Sequence, residues 1–526
     1  MRSAAIRGSI AATEAPVRRA ATLGALETAL KVLLVAPPIL DLDGAELVPA
    51  EMDAVRVCPP YGVYLLAATL RAAGHEVVLA DLIAGGTNRI DPWLGDVADA
   101  GLVGISATSL CWATAVDVIR QLRAARPDVP LVTGNIHPTL FDRYLLRRFP
   151  IDYVVRGEGE IALRELCAAL ERGGDVSAVP NLTWRAPTGE IVRNPLGPKI
   201  EGNALADWPL PSFGELPEGA YKGLAIESSR GCALDCSFCS TPYRRTWRGI
   251  PPEPFVDRLE ALLAHAGRTV HGTVHIIDDE FSMNPKRATE IARVLRLRGL
   301  SPRLIYDSRA VDFLKDGFAE EIAEFTFRFL IGAECGYDEG LKKVGKGITC
   351  QTLEDAAKKL HGLGIADRGE FSFILGLPWE TRAEVDKTLR FAAHLFATYG
   401  VIVRLNWYTQ MPGSRLWEED RRSLAVSEAM YDAYGFYKDI HLFRSGVKLS
   451  PRDIWGVWDV VEKLQLMARL RHPGREQTID FFFPAAIERY FPRDLVEGID
   501  ASDTGLTSLR QIARPEGAVA KSPPGR

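Results

Sequence analysis

Residues 224–239 read Leu-Ala-Ile-Glu-Ser-Ser-Arg-Gly-Cys-Ala-Leu-Asp-Cys-Ser-Phe-Cys, a short apolar run that breaks into a polar turn and three closely spaced cysteines. The run at 224–227 has the length and boundaries of a buried strand. Cys232, Cys236 and Cys239 then fall on one irregular loop at its end. Eight cysteines in 526 residues make no disulfide scaffold, and three within eight positions point to metal or redox chemistry. Thiolates hold iron–sulfur clusters, and a complete four-iron cluster takes four of them. Three cysteines leave one iron open, and an open coordination position is what a bound reactant needs. Structural zinc is the competing reading, but zinc recruits a second paired knuckle, and no other CxxC or CxH pair occurs.

Downstream of the triplet, strand-like runs recur at 274–277, 303–306, 327–331, 371–374 and 401–406, separated by helical spacing. With 224–227 they make six units, a partial (β/α)6 barrel expected over 223–425. Upstream, short apolar runs at 31–35, 77–82, 102–106, 131–134 and 153–156 alternate with helical stretches at 61–74, 113–125 and 160–172. That alternation predicts an α/β fold with a doubly wound, Rossmann-like parallel sheet over 29–200. Its ligand site is expected beyond the carboxyl ends of the strands. Residues 181–195 read as a hairpin and 201–222, rich in proline and glycine, as a linker. Residues 426–507 read as mainly helical, and 1–28 and 508–526 as a disordered leader and tail.

The composition, 47% apolar and 25% charged with a net charge of −5, suits a soluble globular protein and argues against an extensive nucleic-acid surface. No window offers the roughly 20 uninterrupted apolar residues of a membrane span, so a cytoplasmic location is expected.

The triplet resembles the signature of the radical S-adenosylmethionine superfamily, and later motifs follow in that family's order. Gly231 precedes the triplet, and Phe238 stands where the family places an aromatic near the adenine. Ile277-Asp278-Asp279-Glu280-Phe281 resembles the second-strand acidic motif, Ser308-Arg309 the third-strand segment, and Gly332-Ala333-Glu334 the GxE element. Lys346-Gly347, the Gly376-Leu377-Pro378-Trp379-Glu380 turn and Gln410-Met411-Pro412-Gly413 resemble downstream landmarks. The resemblance implies a 4Fe-4S cluster on Cys232, Cys236 and Cys239, which are also the catalytic cysteines. It implies S-adenosylmethionine contacts at Phe238, Asp279, Arg309, Gly332, Glu334, Gly376, Pro378 and Gln410. An external one-electron reductant of flavodoxin or ferredoxin type and a small-molecule substrate follow from the same resemblance.

The first domain is similar to the cobalamin-binding subclass. Ser106 and Thr108, Gly134 and Asn135, and Gly157, Glu158 and Gly159 fall at expected strand ends, where small residues admit a corrin ring. The motif DxHxxG, whose histidine ligates cobalt, is absent. His137 is the single histidine in a candidate loop and reads better as a hydrogen-bonding residue. Methylthiotransferases are a rival, because Cys58, Cys111 and Cys167 are three in number. Cys167, however, sits mid-helix, where a buried cysteine serves as a small apolar residue. Gly340–Gly347 nearly matches a P-loop but lacks the hydroxyl residue that meets magnesium. Aromatics around 431–443 and the helical steps Ile454, Trp458, Val461 and Leu464 read as helical core, with some rings closing the barrel mouth. The resulting expectation is a cobalamin-dependent C-methyltransferase. The alternatives are a cobalamin-dependent radical rearrangement, ring contraction or cyclisation, a methylthiotransferase, and a non-catalytic cobalamin-binding sensor.

Overall fold

The structure, a computed structural model, describes residues 29–43, 46–49, 56–315, 317–423, 427–434, 448–471 and 479–481. The expected leader and tail, Phe436, Tyr437, Phe443 and Phe482–Phe483 lie outside the described residues. The first sheet uses β1 (Lys31–Ala36), β4 (Glu76–Asp81), β5 (Leu102–Ser106), β6 (Leu131–Gly134), β7 (Tyr153–Val155), β8 (Leu182–Arg185) and β9 (Ile191–Arg193). Its order is β4-β1-β5-β6-β7-β8-β9. A separate hairpin, β2 (Leu40–Asp43) and β3 (Glu46–Pro49), stands beside it. The first five strands of the large sheet run parallel, and the 181–195 hairpin joins antiparallel at β7. Alternation along the strands divides the core: Leu33, Val35, Val103 and Ile105 face one helical layer, and Val32, Leu34, Leu102 and Val132 the other.

The second sheet contains seven parallel strands in sequence order: β10 (Gly223–Ile226), β13 (Thr273–Ile276), β14 (Arg303–Ser308), β15 (Thr326–Glu334), β16 (Gly369–Leu375), β17 (Ile402–Trp407) and β18 (Ile479–Phe481). Six match the six runs read from sequence, and β18 extends the sheet by three residues from the C-terminal region. A small antiparallel pair, β11 (Ser229–Arg230) and β12 (Arg248–Gly249), brackets the cysteine loop. The helix Pro451–Arg471 lies outside the barrel against the helix Arg382–Tyr399, with Ile454 and Val461 fully buried.

Tyr431 does not close the barrel mouth. It is buried with Trp417 in the first domain's core, stacked on Phe141 at 5.5 Å. Asp432 beside it accepts from Trp112 Nε1 (3.1 Å), and Tyr434 donates to Asp117. This segment therefore straps the first domain.

Candidate cofactor sites at the domain junction

The cysteine loop is shaped by its backbone. Gly231 has φ 79°, and a Cβ there would lie 2.0 Å from the Thr246 carbonyl oxygen, so only glycine fits. The Cys232 N–H donates to the Tyr243 carbonyl (3.3 Å), Ser237 N–H to that of Val344 (2.9 Å) and Leu416 N–H to that of Ser237 (3.0 Å). Three separate chain segments thus pin eight residues that have no regular structure of their own. All eight cysteines of the chain are unpaired. Burial raises the Cys232 and Cys239 thiols and pushes Cys236 up to about 12. Such thiols keep their protons until a metal displaces them. Among the described residues no three His, Cys, Asp or Glu side chains converge on a point that one metal ion could occupy. Zinc thiolates at about 2.3 Å demand that convergence. Three free thiols on one loop suit a four-iron cluster with one iron left open.

The ends of β13, β14 and β15 bring charged groups to the same mouth. Buried Asp278 anchors the approach to the loop, accepting from Ser228 N–H (2.6 Å) and from the hydroxyls of Ser228 and Ser229. Its neighbour Asp279 is exposed and accepts from Thr241. Burial pushes the Glu280 carboxyl up to about 8, against the pull of the Ser282 hydroxyl. Arg309, expected to reach the nucleoside, commits two nitrogens to buried Asp312 at 2.6 and 2.7 Å. Glu334 stands at φ 62°, a left-handed position costing a residue other than glycine on the order of 1 kcal/mol. A register shift between β15 and β16 accompanies it. Its carboxylate meets Lys346 Nζ at 2.7 Å, and the same ammonium donates to the Gly332 carbonyl at 2.7 Å. Burial pulls Lys346 down, and Glu334 more than restores it, leaving its pKa raised. A Cβ on Gly332 would stand 2.1 Å from that Nζ.

Gly376 and Leu377 donate their N–H groups to Glu380 (2.8 and 3.0 Å), which closes the turn carrying Pro378. The Gln410 carbonyl accepts from Tyr431, and Phe238 is partly buried against the barrel core.

Between the domains lies a cavity of about 390 Å³. Ser106, Gly134, Asn135, Gly157, Glu158 and Gly159 line it from the first sheet, and Arg230, Gly231, Tyr243, Ile277 and Asp279 from the barrel. Thr108 is absent from the lining and instead caps the short turn Ser109–Cys111. Among the described residues no histidine lines the cavity. His137 is fully buried outside it, stacked on Trp112 at 4.7 Å with Nδ1 3.0 Å from Ser109 Oγ, and burial lowers it to about 3. A Cβ on Gly62, another lining residue, would meet no protein atom within 4 Å, so the wall there opens onto empty space. In the wall of the cavity a buried ionic cluster joins the domains. Arg230 meets Glu227 (2.6 Å) and Glu160 (2.5 Å), while Arg248 meets Glu158 (2.6 Å).

Cys111 and Cys167 lie on opposite faces of the first sheet, and Cys58 packs against the barrel core. These three thiols share no point at which a second cluster could sit.

A radical SAM superfamily profile matches residues 226–392, and a B12 binding domain profile matches 53–167. A relative, the uncharacterized methyltransferase PH0819 of Pyrococcus horikoshii, is 32% identical over 410 residues, covering 74% of this chain and 83% of its own. The chain belongs to the radical SAM superfamily. This radical SAM protein is also 28% identical to the anaerobic magnesium-protoporphyrin IX monomethyl ester cyclase of Rubrivivax gelatinosus, over 73% of this chain and 69% of that one. Its fold matches that of the radical S-adenosylmethionine methyltransferase TsrM from Kitasatospora setae, solved with cobalamin and a 4Fe-4S cluster bound. The TM-score is 0.62 at 19% identity, covering 93% and 96% of the two chains. The cofactors of the radical SAM protein are therefore a 4Fe-4S cluster, S-adenosylmethionine and cobalamin. Three unpaired thiols on a pinned loop fit the cluster, and the interdomain cavity with its glycine-lined strand ends fits the corrin. Among the described residues no helix is long and apolar enough to cross a membrane.

Sequence reasoning did not anticipate the Glu334–Lys346 pair, the Arg230 cluster or Tyr243. The Glu334–Lys346 pair spans 12 positions across a strand end and a helix, Arg230 reaches Glu160 across 70, and Tyr243 follows the triplet in a stretch without periodic signal.

Proposed function

We propose that this radical SAM protein methylates an unactivated carbon of a small-molecule substrate in the cytoplasm. The observation that carries the reading is the shared cavity: one wall is the carboxyl end of the first sheet, and the other is Arg230-Gly231, the residues leading into Cys232. When bound, the cofactors supply an electron to split S-adenosylmethionine, a 5′-deoxyadenosyl radical to take a hydrogen atom, and a methyl group to replace it. The chain's own part is binding, orientation and exclusion of water. Cys232, Cys236 and Cys239 hold the cluster, with the loop fixed by Asp278 and Gly231. Glu334 and Asp279 offer carboxylates to the methionine ammonium, a charge-assisted contact, and Lys346 pairs with Glu334 at the mouth. Gly332, Gly376 and Pro378 keep the strand ends low enough for a nucleoside to approach. Ser106, Asn135 and the glycines at 134, 157 and 159 receive the corrin.

The relationship to PH0819 supports methyl transfer, and the relationship to the cyclase favours a second reading, radical cyclisation or rearrangement without methyl transfer. Anaerobic protein loaded with cluster and cobalamin, given S-adenosylmethionine and a strong reductant, separates them. Methyl transfer predicts S-adenosylhomocysteine about equimolar with bound cobalamin before any substrate is added, together with slow release of 5′-deoxyadenosine. Release of 5′-deoxyadenosine alone would favour the second reading. Release of neither would overturn both and leave a binding protein.

A further inference from the structure

We propose that the surface over the cysteine loop is the docking face for an acidic one-electron carrier protein, an inference that rests on the triplet holding a redox cluster. Residues 233–235, between Cys232 and Cys236, are the thin cover over the site, and Ala233 is exposed. Three guanidinium groups converge there on one carboxylate. Arg244 Nη1 is 3.6 Å and Arg415 Nε 3.7 Å from the Asp235 carboxylate, and Arg245 pairs with it too. One negative charge leaves two of the three positive charges uncompensated. The chain as a whole carries −5, so this patch runs against its background charge.

The arginines are built into the loop. Arg244 also donates to the carbonyls of Cys239 (3.0 Å) and Gly413 (2.7 Å), and Arg415 to that of Asp235 (3.1 Å). Arg245 is held at φ 61°, with its N–H on the Leu234 carbonyl (3.3 Å), and its side chain is 74% exposed. Arg415 is 47% exposed. Lys342 and Lys343 stand exposed in the last turn of the helix Asp338–Val344, the end whose terminal carbonyl receives the Ser237 N–H, while the carboxylates Asp338 and Glu339 lie in its first turn.

Electron transfer weakens steeply with distance, so a carrier must dock where the protein over the cluster is thinnest. The cavity side of the site offers exposed Asp279 and the wall of the first domain, which repel or exclude an acidic partner. The loop face attracts one, and complementary charge raises encounter rates by roughly ten- to a thousandfold. The step is a single electron leaving the carrier and entering the cluster; no bond forms or breaks and no proton moves.

The test follows reduction of the cluster-loaded protein by its loss of visible absorbance, with reduced flavodoxin, a reduced acidic ferredoxin, or reduced methyl viologen, a small cation. Arg245→Glu combined with Arg415→Glu is expected to slow at least one carrier about tenfold or more at low salt and to flatten its salt dependence. Methyl viologen should reduce the variant at least as fast as the parent. The carrier that responds identifies the partner as a flavoprotein or an iron–sulfur protein. Arg245→Gln with Arg415→Gln should fall between, and carrier binding to cluster-free protein should weaken in the same order. Equal reduction of parent and variant by both carriers would overturn the docking face. A parent that methyl viologen cannot reduce, and that holds no iron, would instead overturn the cluster.

Discussion

Replacing Arg230 with methionine tests whether the ionic cluster in the cavity wall holds the two domains together. The Arg230 side chain is 13% exposed, and the carboxylates it serves, Glu160 and Glu227, are 5% and 7% exposed. Glu158 keeps Arg248 at 2.6 Å, so the substitution strands two carboxylates and not three. Removing one partner of a buried pair costs about 3–5 kcal/mol, because the remaining charge stays buried without compensation. That is a large part of the roughly 5–15 kcal/mol that holds a domain folded. Urea unfolding of cofactor-free Arg230→Met, followed by tryptophan fluorescence, should show this loss, and Glu160→Gln in the same chain should recover part of it. A coupling energy above about 1 kcal/mol between the two positions is expected. Because Glu158, Glu160, Glu227 and Arg230 all line the cavity, cobalamin affinity should fall about tenfold or more, 1.4 kcal/mol by titration of the visible spectrum. A destabilisation under about 1 kcal/mol, the value of an exposed ion pair, with unchanged cobalamin affinity would refute the reasoning.

Gly332→Ala drives a methyl group into the Glu334–Lys346 pair and should weaken S-adenosylmethionine binding by calorimetry, at a stability cost of about 1–3 kcal/mol; undiminished binding would remove that pair from the site. Asp278→Ala takes three hydrogen bonds from Ser228 and Ser229, so iron content after reconstitution should drop while far-ultraviolet circular dichroism is kept. His137 links stability to pH. Its pKa falls from about 6.5 unfolded to about 3 folded, so the unfolded chain binds the extra proton between those values. Stability is then fully present above pH 6.5 and is lost as pH falls, by about 2 kcal/mol at pH 5. Urea midpoints at pH 7 and pH 5 should show this, and His137→Leu should remove that part of the difference; an equal pH effect in the variant would exclude His137 as its source.

The strands were legible because buried parallel strands are short apolar runs: 102–106 and 131–134 coincide with β5 and β6 to the residue. The triplet was legible because covalent ligands must lie close in sequence when one loop supplies them. What escaped depends on distant contacts. Trp112 and Asp432 are 320 positions apart, and no local pattern announces that Tyr431 packs on the first domain and not over the barrel. Thr108 looked like cavity wall from its place after β5, yet its side chain turns back to cap the next turn. Arg309 is expected at the nucleoside, and the sequence does not announce that Asp312, three residues on, takes two of its donors. The three residues of β18 carry too little periodicity to be told from loop.

Iron and sulfide analysis with Mössbauer spectroscopy on anaerobically reconstituted protein tests the central claim most directly. One 4Fe-4S cluster per chain is expected, with one iron whose signal shifts on adding S-adenosylmethionine, and its loss in Cys232→Ala. A single zinc per chain, or iron unaffected by the Cys232 substitution, would contradict it.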